Sequence, residues 1–178
     1  MKTLLTNVVL FQVGWFACVL SGAASFPMAG VLIALGIMAF HLWKAGVPQA
    51  ELKLLLIAMG IGAVWDSFLV MQGLLEYTSG TLTTNTAPVW IVAMWGLFAS
   101  TMNVSMRWLK GRYLVAAILG GVAGPLAYYG GSKLGGLTFL NLDLGLIYLA
   151  IGWAVFTPVL VKLGEHFDGY QKLAGGLK

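Results

Sequence analysis

Charged residues are what this sequence has least of. Only 9% of its 178 residues are Asp, Glu, Lys or Arg, whereas about a quarter of a soluble domain is charged. Hydrophobic residues make up 60% of the chain, and the mean hydropathy is +0.90. So few charges cannot cover a water-facing surface, which excludes an ordinary soluble domain. A lipid bilayer accepts an apolar exterior, so we expect a membrane protein whose main partner is the bilayer.

Cysteine and histidine are almost as scarce. The lone Cys18 excludes an intramolecular disulfide and says nothing about the redox compartment. Two histidines, with no CxxC or HExxH spacing, form no pattern for a metal centre, and no cofactor is expected. The basic residues lie scattered at the ends of apolar segments, so the net charge of +4 does not indicate nucleic-acid binding.

Long apolar runs are what the sequence does contain. A membrane-spanning helix needs about 20 mainly apolar residues. Six such segments predict an all-α, polytopic transmembrane six-helix bundle that forms one domain over residues 1–178. Their approximate bounds are 4–20, 27–43, 52–75, 88–108, 113–131 and 144–163. Pro27 and Pro88 suit helix starts, where a missing N–H costs nothing.

The connections between these segments alternate in charge. One side holds Lys133 as its only cation. The other side holds the remaining basic residues, which are Lys2, Lys44, Lys53, Arg107, Lys110, Arg112, Lys162, Lys172 and Lys178. By the positive-inside rule, both termini are cytoplasmic. The first segment also has the form of a signal peptide, but Asn7 and Gln12 interrupt its apolar core, which favours a retained helix.

Asp66 lies inside the third apolar segment, where an acid costs roughly 2.5–3.5 kcal/mol to insert. Helical spacing puts it on one face with Gly62 and Gly73, so we expect it to point into the bundle. A structural pairing role and a chemical role are equally open for this acid. The residues that complete a candidate intramembrane polar site around it, at a similar depth, are Tyr128, Trp95 and Trp153.

A second polar group lies near the basic ends of the segments. Asn103 and Arg107 are one helical turn apart, and Arg107 suits a lipid phosphate or an anionic substrate. With His41 and Trp108 they form a candidate anionic or lipid-headgroup site. The preferred alternatives are an Arg107 side chain that simply reaches the membrane interface and a capping or interfacial role for His41.

Small residues recur at helical spacing and predict surfaces where helices pack, because lipid gives helices no hydrophobic drive to associate. These residues are Gly14, Cys18 and Gly22 in the first segment, Gly62 in the third, and Gly120 and Gly124 in the fifth. Packing within the chain is the preferred interpretation. Docking of a membrane-protein partner or a second copy is the alternative.

Five segments together resemble a family of small bacterial inner-membrane proteins classed as a domain of unknown function. The segments are FQVGWFACVL, HLWK, WDSFL, APVWIVAMWGLFASTMNVSMRWL and GGVAGPLAYYGG. The resemblance runs over nearly the whole chain and implies a multi-pass protein of the bacterial inner membrane. It carries no activity, and therefore no catalytic residue. Members tend to be encoded near genes similar to cyclopropane-fatty-acid synthases and flavin amine oxidases, which hints at membrane-lipid modification or stress response.

Three functional hypotheses follow. A small-molecule or lipid transport or binding component is favoured, because Asp66 and nearby aromatic residues could line a midplane pocket. The chain also resembles, in size and helix number, the substrate-capturing subunits of energy-coupling vitamin importers. The alternatives are an accessory subunit of a membrane-lipid modification or stress-response complex, and a lipid-modifying enzyme. The sequence has no paired acids, Ser–His–Asp set or histidine cluster, which favours a non-enzymatic role without deciding it.

Overall fold

The computed structural model describes residues 2–171 and consists mainly of six α-helices. They are α1 (Lys2–Ala23), α2 (Pro27–Lys44), α3 (Pro48–Met71), α4 (Val89–Ala99), α5 (Tyr113–Lys133) and α6 (Leu142–His166). Two three-residue strands, β1 (Leu75–Tyr77) and β2 (Leu137–Phe139), and a short 3-10 helix at Arg107–Leu109 complete the described part. Lys172 and Lys178, expected on the basic side, lie outside the described residues.

Five of the helices are long and apolar enough to cross a membrane, with mean hydropathies between 1.4 and 2.1; they are α1, α2, α3, α5 and α6. Their outward faces carry large apolar side chains, including Leu32, Val64, Leu114 and Ile151, each more than 60% exposed. A lipid exterior tolerates such a surface. The predicted all-α six-helix fold is confirmed, and the direction in which it crosses a membrane stays a prediction.

The fourth helix is much shorter than predicted. A helix over Pro88–Trp108 was expected, but α4 ends at Ala99 after 11 residues. The hydroxyls of Ser100 and Thr101 donate at 2.7 and 2.6 Å to carbonyls three residues earlier. Such local bonds compete with continued helical bonding of the backbone. The prediction of a helix beyond Ala99 is therefore wrong.

The turns after α4 nevertheless carry the chain to the other end of the bundle. Trp90, near the start of α4, donates from Nε1 to the Ser79 carbonyl at 2.9 Å, next to the strands. Asn103 donates from Nδ2 at 2.8 Å to Glu51, near the start of α3. Because this stretch is not α-helical, Asn103 and Arg107 do not share a helical face, and that part of the prediction is wrong.

Asn7 of α1 stabilises this irregular crossing. Its side-chain carbonyl accepts from the Ser105 hydroxyl at 2.6 Å, and its amide donates to the Ser100 carbonyl at 3.1 Å. Non-helical backbone at membrane depth is tolerated where protein groups satisfy it. The polar residue that interrupts the apolar core of α1 therefore has a structural partner.

The two ends of the bundle differ in structure and charge. At one, the strand end, β1 pairs with β2 in antiparallel register, with Leu75 opposite Phe139 and Tyr77 opposite Leu137. The other, the basic end, is where α1, α3 and α5 begin and α2 and α6 end. The sequence predicted neither strand, because three-residue strands give almost no periodic signal.

The third helix also ends earlier than predicted. It was expected to reach Leu75, but α3 ends at Met71, and Gly73 has a φ of +64°. This left-handed conformation ends the helix. Gly73 therefore does not share a helical face with Asp66, as predicted, whereas Gly62 does lie in α3 with it.

The six small residues predicted to pack helices all face other parts of this chain. They are Gly14, Cys18, Gly22, Gly62, Gly120 and Gly124, and a Cβ at any of the five glycines would overlap a neighbouring side chain. Cys18 is fully buried, and its thiol lies 3.6 Å from the Gly30 carbonyl. Close approach of the helices is thus built into the bundle itself.

Candidate functional site

Asp66 is fully buried in α3 and accepts three hydrogen bonds. The hydroxyls of Tyr77 and Tyr128 donate to Oδ1 at 2.6 and 2.7 Å, and the Trp95 indole donates to Oδ2 at 2.7 Å. We call these four residues the Asp66 cluster. Among the described residues no cation pairs with this acid. Three donors supply what a buried carboxylate requires.

The Asp66 cluster joins parts of the fold that are distant in sequence. Its donors come from β1, α4 and α5 and converge on α3. Sequence reasoning placed Tyr128 at the depth of Asp66 and offered Trp95 or Trp153 as a further member, and the structure brings Tyr128 and Trp95 to the acid. It missed Tyr77, which reaches the acid because β1 pairs with β2. Burial, with the charge of Asp66 beside it, raises the pKa of the Tyr77 hydroxyl well above its ordinary value, so this group remains a proton donor.

Trp153 joins this group by stacking rather than by bonding to Asp66. Its ring lies parallel to that of Trp95, with centroids 4.6 Å apart and planes 15° apart. Gly62 and Gly124 make room for the two indoles, because a Cβ on Gly62 would overlap Trp95 and one on Gly124 would overlap Trp153. The acid, the glycines and the stacked indoles therefore form one packed unit.

A cavity of about 520 Å³ lies beside this unit, between α1, α4, α5 and α6; we call it the lateral cavity. Its walls are mainly aromatic and aliphatic, and no charged side chain of the described chain lines it. Phe16 of α1 and Leu126 of α5 line it and are 47% and 63% exposed. Because both lie in mid-helix, the cavity opens sideways on the apolar outer surface. Its volume falls in the range of roughly 300–1,000 Å³ typical of small-molecule sites.

A second buried acid, Glu51, lies near the basic end and was not predicted. It is fully buried, and His41 Nε2 lies 2.8 Å from its Oε2. Its Oε1 accepts from the Asn103 amide at 2.8 Å and from the Gly169 backbone N–H at 2.7 Å. The Tyr170 hydroxyl donates to the His41 carbonyl at 2.7 Å. A histidine and an acid that flank a short connection between two apolar helices were the signal that could have revealed this pair.

Arg107 is engaged within the chain. Its guanidinium donates to both oxygens of Asp168, at 2.6 and 3.3 Å, and to the Asn103 carbonyl at 2.9 Å. Lys110 lies 2.7 Å from the same carboxylate. Trp108 is 52% exposed and forms no hydrogen bond with these groups in the described part of the chain. Of the predicted headgroup residues, His41 and Asn103 both contact Glu51. Arg107 contacts this group only through the Asn103 carbonyl, and Trp108 is not part of it.

Over residues 2–171, no group of three or more His, Cys, Asp or Glu side chains is arranged to hold a metal ion. The polar groups at both acids are instead engaged with hydroxyl, amide, indole and imidazole partners. Both sets of contacts join distant parts of the fold, and of these residues Trp95 and Tyr128 also line the lateral cavity.

Comparison with known protein families yields a match over most of the chain. A family model described as "Protein of unknown function (DUF2878)" matches residues 4–159. The match spans the Asp66 cluster and the residues of the lateral cavity, while Asp168 and Tyr170 lie beyond its end. No curated protein and no solved structure matches the chain.

Proposed function

We propose that this chain, which belongs to the DUF2878 family, is a membrane binding or transport component that takes up a mostly apolar molecule from the bilayer. The lateral cavity carries this proposal. It is large enough for a small molecule, its walls are apolar, and it opens on the surface that faces lipid. A molecule dissolved in the membrane could enter it without crossing water.

The proposed location is the bacterial inner membrane, with multiple crossings and both termini on the cytoplasmic side. The distribution of charge supports this orientation. Apart from Lys133 at the strand end, the described lysines and arginines lie at or near the basic end. Positive residues are retained on the cytoplasmic side of membrane proteins.

Asp66 has a positioning role in this proposal. It does not line the lateral cavity, but Trp95 and Tyr128 do, and both donate to its carboxylate. A satisfied buried network fixes its members in one arrangement. The acid therefore holds an aromatic wall in place, which favours the structural one of the two roles considered for it.

The same cavity favours a binding role over the two alternatives, an accessory subunit and a lipid-modifying enzyme. An accessory subunit needs only an exposed docking surface and does not require a cavity of this volume. An enzyme acting on lipid would bring acids, bases or nucleophiles together in one cavity. The lining of this one contains no acid, histidine, lysine or cysteine side chain in the described part of the chain.

The proposal is tested by identifying what the protein holds. The protein is extracted with its surrounding lipid in polymer-bounded discs, and organic extracts are analysed by mass spectrometry. We expect one compound, enriched over bulk lipid, in the wild type. Ala127→Trp places a large ring in the cavity wall and should deplete that compound several-fold, because Ala127 lines the cavity.

Val122→Trp is the matched control. Val122 lies on the same helix, is 58% exposed and does not line the cavity, so this variant should retain the compound. No enriched compound in the wild type, or equal amounts in Ala127→Trp and the wild type, would refute the proposed function.

A further inference from the structure

The lateral cavity is long and narrow. Its lining residues recur at every turn within residues 11–19 of α1, 90–98 of α4 and 119–131 of α5. At each turn the lining takes in only a few neighbouring positions, so it forms a thin strip on each helix. The strip on α5 is about 18 Å long at 1.5 Å per residue. A molecule that fills this cavity must therefore extend along the helix axes.

The cavity is closed toward the strand end and open along its middle. Val19, Trp90 and Leu137 line its strand side, and each is at most 4% exposed. Phe16 of α1 and Leu126 of α5, which line the mouth, are exposed. The bound molecule thus enters sideways between α1 and α5, and one of its ends lies against a buried apolar wall.

This shape suits one flexible hydrocarbon chain. Toward the basic end, the Phe11 and Phe98 rings lie with their centroids 6.2 Å apart and bring two walls together. Met94 and Met106 also line the cavity, and unbranched methionine side chains adapt to irregular gaps. A fused ring system is broader than such a strip and cannot bend to follow it, whereas a single extended chain can.

Gln12 is an exposed polar residue in the wall of this cavity. It lies about 15 Å along α1, at membrane depth, and forms no hydrogen bond with any described residue. Asn7, the other polar residue that interrupts the apolar core of α1, bonds to Ser100 and Ser105. An amide in hydrocarbon without a partner is costly. Packing within the described chain therefore accounts for Asn7 and leaves Gln12 unexplained.

The position of Gln12 restricts the group that suits it. A glutamine amide both donates and accepts hydrogen bonds. No charged side chain of the described chain lines the cavity, so a carboxylate or phosphate at this depth would be costly for want of a compensating cation. An uncharged hydroxyl or carbonyl oxygen suits the amide, and it reaches the exposed Gln12 side chain without entering the packed interior.

We infer that the lateral cavity binds molecules with a single extended hydrocarbon chain and an uncharged oxygen. Gln12 bonds to the oxygen at the open side of the cavity, and the chain lies along the helix axes with one end toward Val19 and Leu137. This inference rests on the proposed function, since it names the class of molecule that the same cavity binds.

The test compares three probes: hexadecane, 1-hexadecanol and cholesterol. Each is added at the same mole fraction to the protein in lipid nanodiscs, and the bound fraction is measured by native mass spectrometry. 1-Hexadecanol should bind several-fold more tightly than cholesterol, which also carries one hydroxyl but has a broad fused-ring body.

Gln12→Leu tests the polar contact. The ratio of bound hexadecanol to bound hexadecane should fall about fivefold in this variant, which is the effect of one ordinary hydrogen bond. The preference of the lipid itself for the alcohol cancels, because both proteins are measured in the same lipid. The variant should be at least as stable as the wild type in SDS unfolding, since no described residue bonds to Gln12.

Gln72→Leu is the matched control. Gln72 is exposed at the end of α3 and does not line the cavity, so this change should leave the ratio as in the wild type. An equal fall in both variants would overturn the role given to Gln12.

The outcomes separate the two proposals. If cholesterol binds as tightly as hexadecanol, or if Gln12→Leu keeps the ratio of the wild type, the inferred class of molecule is wrong while a binding cavity stands. A wild-type dimer that becomes a monomer in Gln12→Leu would assign Gln12 to a contact between copies and overturn the inference. Failure of all three probes to bind, together with no enriched native compound, would overturn the proposed function.

Discussion

Removing one hydroxyl from the Asp66 cluster should destabilise the whole bundle. Tyr77→Phe deletes the group that donates to Asp66 Oδ1 at 2.6 Å and leaves the ring in place. A hydrogen bond to a charged partner contributes about 1.5–3 kcal/mol. Tyr77 is 7% exposed, so water cannot readily replace the lost donor. We therefore expect a loss of that size in the free energy of unfolding.

Tyr128→Phe removes the second donor to the same oxygen and should have an effect of similar size. In the double variant, Asp66 keeps only the Trp95 indole. Because Tyr77 and Tyr128 donate to the same carboxylate oxygen, the two effects should not add. Tyr148→Phe is the matched control, because its ring is 38% exposed and the change should stay within about 0.5 kcal/mol.

The assay is reversible unfolding in mixed micelles at increasing fractions of SDS, followed by tryptophan fluorescence and circular dichroism. A double-mutant cycle with Asp66→Leu isolates the contribution of the hydrogen bond. In the Asp66→Leu background, Tyr77→Phe should cost much less than in the wild type, since its partner is gone. Equal stabilities of Tyr77→Phe and Tyr148→Phe, with no coupling to Asp66, would refute this account of the acid.

Three further expectations use the same unfolding measurement. Asn7→Leu removes all three side-chain bonds to the irregular crossing after α4 and should cost about 1–3 kcal/mol. An unchanged stability would show that this crossing does not depend on Asn7. Glu51→Ala removes the buried acceptor of His41, of the Asn103 side-chain amide and of the Gly169 backbone N–H. It should lower the free energy of unfolding by about 3–5 kcal/mol. An unchanged free energy would exclude a structural role for the acid. Arg107→Gln should lower the free energy of unfolding by less than about 1 kcal/mol, because the Arg107 side chain is 31% exposed and Lys110 still pairs with Asp168. A larger loss would contradict this weak contribution of the ion pair.

Sequence reasoning predicted the features of this fold that depend on local composition. Apolar runs of sufficient length predicted the long helices, because a spanning helix must satisfy its own backbone. Depth along a helix, at about 1.5 Å per residue, placed Tyr128 level with Asp66. The length of an apolar run and the depth of a residue along a helix can both be read from the sequence without knowing which parts of the chain are in contact.

The features that were missed depend on contacts between distant parts of the chain. Apolar composition continues past Ala99, but α4 ends there, and Asn7 of α1 bonds the turns that follow. Tyr77 meets Asp66 only because β1 pairs with a strand that follows α5. Glu51 is satisfied partly by the backbone of Gly169, 118 residues later. A single sequence gives no periodic signal for such pairings.

The lateral cavity also combines features that the sequence predicts with features that depend on distant contacts. Gly120 and Gly124 were predicted to let helices approach, and they do lie against α6. Their spacing could not show that the adjoining side of α5 faces a chamber, because the volume depends on how α1 and α4 are placed.

An experimental density map of the protein in lipid nanodiscs tests the central claim most directly. We predict an elongated density between α1 and α5, in the lateral cavity beside Trp95 and Tyr128. A map in which α1 packs directly against α5, with side chains filling the space between them, would contradict it.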